Sequence, residues 1–157
     1  MVEQVKIGNA RYLYSESEGV PPDLRYHLNA IDHCLMSADQ VRYANERVTL
    51  FFFCSPFDES FDAWSSWTCR EVIGHIALDE ESEVQVFDGF AGDCFRSILP
   101  WPGIELQRLQ TGYQAVADFM SKQQIPVSDS WRVQFQLTQS SDNQYDFKTA
   151  LELFRGE

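Results

Sequence analysis

Residues 131–139 read WRVQFQLTQ. Trp131, Val133, Phe135 and Leu137 take alternate positions, with Arg132, Gln134 and Gln136 between them. Successive side chains of an extended chain point to opposite faces, so this period of two predicts a strand with one apolar face. SSDN (140–143) is turn chemistry. DFKTALELF (146–154) then returns with Phe147, Thr149, Leu151 and Leu153 in matching alternation. The C-terminal part is therefore expected to be a hairpin, with a terminal helix as the alternative over 146–154.

Upstream, most of the chain reads the same way. VTLFFFC (48–54) is a short, Phe-rich apolar run suited to a central buried strand. EVIGHIAL (71–78) is a second candidate, and EVQVFD (83–88) a third with partial alternation. FRSIL (95–99) runs into Pro-Trp-Pro-Gly, and VEQVKI (2–7) and ARYLY (10–14) supply two early strands. Residues 104–122 carry two patterns. Ile104 and Leu106 alternate like an edge strand, while Leu106, Leu109, Tyr113, Val116 and Met120 form a helical stripe. A strand over 104–110 is expected, with 113–122 open to a helix. One helix stands out at 23–38, where Leu24, Leu28, Ile31 and Leu35 share one face of a 3.6-residue period. Asp23 sits where a carboxylate caps free N–H groups and meets the positive end of the helix dipole. No internal repeat or linker is evident. Together these patterns predict a single domain over 1–157, mainly β. The expected form is an antiparallel β-sandwich with one amphipathic α-helix near the N-terminus, with an α+β arrangement as the alternative.

The chain holds 24 acidic and 12 basic residues, a net charge of −12. Phosphate binding needs a basic footprint, so this balance argues against nucleic acid as a direct partner and against an anionic membrane surface. It favours a basic protein partner or simple solubility. The first residues lack an apolar signal-peptide core, and no run approaches the roughly 20 apolar residues of a membrane span. Four cysteines, Cys34, Cys54, Cys69 and Cys94, lie 15 to 25 residues apart without a C-x-x-C pair. They read as reduced thiols in a cytoplasmic protein. No histidine is spaced with a cysteine as a zinc ligand pair.

The negative charge is unevenly spread. Residues 57–93 carry ten acids against one base, Arg70, which is −9 of the −12. Asp58, Glu59 and Asp62 sit among Phe57, Phe61 and Trp64, with Trp67 following, and Asp79, Glu80, Glu81 and Glu83 form a second run. Like charges held together repel, which costs stability. Aromatic anchors within a charged rim are the anatomy of a tight interface, in which rings carry energy and charges steer. These nine residues, Trp64 and Trp67 as anchors and the seven acids as steering charges, are the candidate partner-binding surface. Two other readings compete. The acids offer hard oxygen ligands to a divalent cation, although neither run matches the EF-hand pattern. They are also what a solvated turn beside a core looks like.

Catalytic signals are sparse. G-x-S-x-G, H-E-x-x-H and the phosphate-binding glycine loop are all missing. His33 and Cys34 are adjacent, so a helix points them about 100° apart. His75, flanked by apolar residues, reads as a strand histidine, with Glu71 or Asp79 near enough in sequence for a base pair.

The layout resembles the competence protein J family, inhibitors of the bacterial DNA-entry nuclease. The parts that carry it are a first strand ending at Pro21-Pro22, an amphipathic helix reaching Ala38-Asp39, and a polar Glu46-Arg47 segment leading into VTLFFFC. A Leu99-Pro100 turn with Gly103 precedes an alternating strand. The resemblance covers roughly residues 10–110, and the Trp- and Asp-rich stretch at 57–69 and the C-terminal hairpin depart from it. It implies a non-enzymatic inhibitor that binds and neutralises a nuclease. Charge and resemblance together lead to an acidic inhibitor or immunity-type protein that needs no cofactor or metal and blocks a basic nuclease or toxin. A small-molecule or carbohydrate-binding module, with aromatics lining a cleft, is the alternative. A hydrolase using scattered carboxylates comes third.

Overall fold

The computed structural model describes residues 1–17, 23–59, 61, 65–89, 91–100, 103–136 and 148–157. Nine strands form one antiparallel sheet: β1 (Val2–Ile7), β2 (Arg11–Ser17), β3 (Val41–Tyr43), β4 (Arg47–Phe52), β5 (Ser66–Gly74), β6 (Val84–Asp88), β7 (Gly92–Pro100), β8 (Val127–Gln136) and β9 (Lys148–Arg155). Two helices, α1 (Leu24–Met36) and α2 (Leu106–Lys122), accompany them. The order across the sheet is β1-β7-β9-β8-β4-β5-β2-β6, with β3 pairing β5. The mainly antiparallel β class expected from the sequence therefore holds. The strands join in a single open sheet, and the helices supply the second layer. No described helix is long and apolar enough to cross a membrane.

The strongest sequence patterns became the centre of the sheet. β4 and β8 pair in the middle, with Leu50 opposite Val133 and Phe52 opposite Trp131. β8 and β9 pair as anticipated, with Val133 opposite Leu151 and Phe135 opposite Thr149. The turn expected at 140–143 lies outside the described residues. In α1 the side chain of Asp23 accepts a hydrogen bond from the Tyr26 N–H at 3.2 Å, which is the capping anticipated.

Two expectations are corrected. The strand over 104–110 is instead the start of α2. Alternation of only two apolar residues competed with a stripe that recurs over the whole segment, and Leu109, Val116 and Met120 of that stripe are buried. Gly112 faces the sheet in the same helix. A Cβ there would stand 2.6 Å from the Leu99 side chain, so glycine sets how closely α2 approaches. The strand expected at 71–78 begins five residues earlier, at Ser66, and stops at Gly74. Gly74 has φ +118°, and a Cβ would collide with the Gln40 carbonyl, so the chain turns away at a position only glycine tolerates.

Both helices cover the same face. Leu13, Val72 and Val84 lie under α1 with Ile31. Leu99, Leu109, Val116, Met120, Leu151 and Leu153 join the main core under α2. The arrangement is a topological repeat. Leaving aside the short β3 between α1 and β4, β2-α1-β4-β5 and β7-α2-β8-β9 each place the next strand beside the middle of the sheet, and β4 meets β8 at the junction. The strand preceding each unit is exchanged: β1 pairs with β7, and β6 pairs with β2. No sequence repeat accompanies this, because the two halves satisfy the same burial pattern with different residues.

Candidate functional site

Neither described helix lies over the other face of the sheet, yet its middle is buried. Register explains what gathers there. Glu16, Trp67, Phe51, Arg132, Glu152, Arg96 and Glu3 stand opposite one another on seven successive strands. They form one row that is aromatic on one side and ionic on the other.

The ionic half centres on Glu152, which is 0% exposed. Arg132 Nε donates to Glu152 Oε1 at 2.8 Å, and Gln134 Nε2 donates to the same oxygen at 2.5 Å. Arg96 donates from Nε and from a terminal nitrogen to Oε2, at 2.9 and 2.6 Å. The Cys94 thiol lies 3.4 Å from Oε2. Arg132 also donates to the Tyr12 hydroxyl at 2.9 Å, and Arg96 reaches outward to Glu3 at 3.7 Å. Burial pushes the Glu152 carboxyl up, but the Arg132 and Arg96 guanidiniums and the hydrogen bonds from Arg96 and Gln134 outweigh it and hold the group below its ordinary value. Burial and the adjacent carboxylate push the Cys94 thiol up to about 12, so it is a neutral donor. With both oxygens taken by several donors, Glu152 serves to fix two guanidiniums. It is poorly placed to act as a base toward an incoming molecule.

The aromatic half is a packed wall. Trp67 stacks on Tyr14 with ring centres 4.0 Å apart, Tyr12 stacks on Phe87 at 5.1 Å, and Phe51 meets Tyr12 edge-on at 5.6 Å. Arg132 lies 5.3 Å from the Phe154 ring and 5.7 Å from that of Phe51, joining the two halves. Beyond the ionic half, where β4 and β9 begin, the face opens into a recess of about 210 Å³ lined by Arg47, Arg96, Gln134, Phe135, Gln136, Lys148 and Ala150.

Of the described residues singled out from sequence as partner-binding, only Trp67 is on this face. Asp58 and Glu59 are exposed in the loop after β4. Phe61 of that loop is core, against Phe52 and Trp131. Asp62 and Trp64 lie outside the described residues. Trp67, expected as an exposed anchor, is half-buried in β5 as part of the aromatic wall. Asp79, Glu80, Glu81 and Glu83 are exposed in the loop before β6. Asp79 Oδ1 accepts from the Glu81 N–H at 3.1 Å, and Glu83 accepts from the Tyr26 hydroxyl at 2.6 Å. Asp58 and Glu59 follow β4, and Asp79, Glu80, Glu81 and Glu83 precede β6, at the same end of the sheet and three strands apart in its order. Glu71 and Asp88 fall toward the opposite end, and Asp88 is paired with Arg11 at 3.0 Å. His75 is exposed beyond the end of β5. All four cysteines are free thiols.

Sequence reading missed Arg132, Glu152 and Arg96. A signal existed: in the C-terminal hairpin the register that aligns the apolar positions also sets Arg132 opposite Glu152.

No protein-family model matches the chain, and no curated protein matches its sequence. Solved structures share its fold. The C-terminal domain of EcmrR superposes with a TM-score of 0.75 at 8% identity, over 100% of this chain and 98% of that one. EcmrR in a cryo-EM complex with DNA gives 0.68 at 11%, over 97% of this chain and 56% of that one. A hydrolase from Listeria innocua encoded by lin2189 gives 0.59 at 14%, over 99% and 91%. At these identities the likeness is one of fold.

Proposed function

We propose that the protein is a small-molecule-binding module whose site is the helix-free face of the sheet. The observation that carries this is the ion-pair chain Glu3–Arg96–Glu152–Arg132, hydrogen-bonded in the middle of a face that neither described helix covers, with a recess at one end. Buried ion pairs are weak devices for stability, because desolvation offsets most of their attraction. A fully hydrogen-bonded cluster beside a cavity is what orients a ligand. The fold is shared with the C-terminal domain of EcmrR, a protein solved in complex with DNA. The charge of −12 argues against this chain touching DNA itself. The test is a thermal-shift screen of chemically diverse small molecules, with hits followed by backbone amide shifts. Binders are expected to perturb amides of β4, β7, β8 and β9. Hits that all map to the helix side, or a screen with none, would sink the reading.

A second reading keeps the acidic end of the sheet as a docking surface for a basic protein, a nuclease or toxin among the candidates. Its support is specific: Glu59, Asp79, Glu80 and Glu81 are exposed and have no Lys or Arg partner among the described residues. Steered association is screened beyond about 8 Å at physiological ionic strength. Reversing Asp79, Glu80 and Glu81 to lysine is therefore expected to slow capture of such a partner at least about tenfold at low salt. An unchanged on-rate by surface plasmon resonance removes this surface from consideration.

A further inference from the structure

We propose that Arg47, Arg96 and Lys148 form a binding site for a small organic oxyanion, a carboxylate or a phosphate monoester. The inference rests on the helix-free face being the ligand site, and it names the ligand's charge. Arg47 opens β4, Arg96 lies within β7 and Lys148 opens β9. Register places Arg47 opposite Gln136 on β8, and all line the same recess.

Three cations line the recess in a chain of net charge −12, and among the described residues no carboxylate lines it. The nearest beneath it, Glu152, already accepts on both oxygens. Arg96 is oriented by Glu152 and Glu3 and keeps 24% of its side chain exposed. Neither Arg47 nor Lys148 has an ion-pair partner among the described residues. Convergent like charges repel, and a bound anion removes that cost. The planar fork of Arg47 suits the parallel oxygens of a carboxylate or phosphate, and Arg96, held by Glu152 and Glu3, and Lys148 add positive charge beside it. At about 210 Å³ the recess is below the roughly 300–1,000 Å³ of drug-sized sites, which limits the ligand to a compact molecule.

The test uses four compounds built on one ring: benzoate, phenyl phosphate, benzamidine and benzyl alcohol. Each is titrated at low ionic strength into the isotope-labelled protein while backbone amides are followed. Benzoate or phenyl phosphate is expected to shift the amides of Arg47, Gln136 and Lys148, and whichever binds more tightly identifies the carboxylate or phosphate source. Arg47→Gln with Lys148→Gln should weaken that binding at least about tenfold, while Arg47→Lys restores part of it. Both side chains reach solvent, so folding, checked by circular dichroism, should be retained. Binding of benzamidine or benzyl alcohol in the recess as tightly as the anions overturns the inference but leaves a small-molecule site on this face. So does anion binding that survives the double substitution. Failure of both anions to bind overturns the inference outright, and a ligand of another charge found on this face in the wider screen would still uphold the module reading.

Discussion

Glu152→Leu is expected to lower unfolding free energy by about 3–5 kcal/mol, because it strands Arg132, only 5% exposed, in the sheet without its counter-ion. For a chain of this size that corresponds to a melting point lower by roughly 10 °C or more. Removing the partner as well should reverse most of the loss. In Glu152→Leu combined with Arg132→Met no charge is left buried, and Arg96 keeps Glu3 within reach. The pair therefore separates two explanations, since a cavity would persist in the double variant and an orphaned charge would not. The same group gives an acid signature. The carboxyl is held below its ordinary value in the folded protein, so the native state binds fewer protons than the unfolded chain as pH falls. The stability that Glu152 contributes is complete above the unfolded-state value of about 4.3 and is lost as pH drops through the lower folded value. Urea unfolding from pH 7 to pH 3 should show the wild type losing this increment and Glu152→Leu lacking it. Equal acid sensitivity in both proteins would assign the effect to other carboxylates.

Trp131→Ala should cost a similar amount, about 3–5 kcal/mol, for a different reason. The side chain is 0% exposed and stacks on Phe52 at 4.5 Å and on Phe61 at 6.0 Å, with Tyr113 edge-on at 5.3 Å. Its indole N–H donates to the Cys54 carbonyl at 2.7 Å. One residue thus joins β4, β8, α2 and the loop that carries Asp58 and Glu59. Trp131→Phe keeps most of the stacking and loses the hydrogen bond, so its cost should be nearer 1 kcal/mol. The comparison is made from urea midpoints at unchanged m-value. A second readout, proteolysis within 53–59, should accelerate in Trp131→Ala beyond what the global loss explains, because the loop loses its tie to the sheet. Cleavage that only tracks global stability would show that the loop is held by other contacts.

The parts of this molecule that were legible in its sequence are those where a single period dominates. β8 and α1 follow from spacing and β4 from its short apolar run, while for β9 the alternation favoured a strand over the helix it left open. Residues 104–122 were divided because a two-residue alternation overlapped a helical stripe, and only packing against Leu99 and Leu151 settles which one the chain uses. The ionic row was hidden for a different reason. A charge at every second position of a strand normally marks the solvent side, and Arg132 and Glu152 occupy such positions. What buries them is the shape of the whole sheet and the neighbours delivered by β7 and β1, which are remote in sequence. The acidic segment was visible as composition, but composition carries no direction: its charges divide between the two ends of the sheet.

The exchange of β1 and β6 between the halves has a consequence for biosynthesis. Val5 bonds across to Cys94, about 90 residues later. At the usual elongation rate of about 5–20 residues per second, the N-terminal segment leaves the ribosome several seconds before its hydrogen-bonding mate is made. Neither half can close its own border in the meantime. Until β7 is made, β1 therefore has no partner strand, and its edge is left open to pairing with another chain.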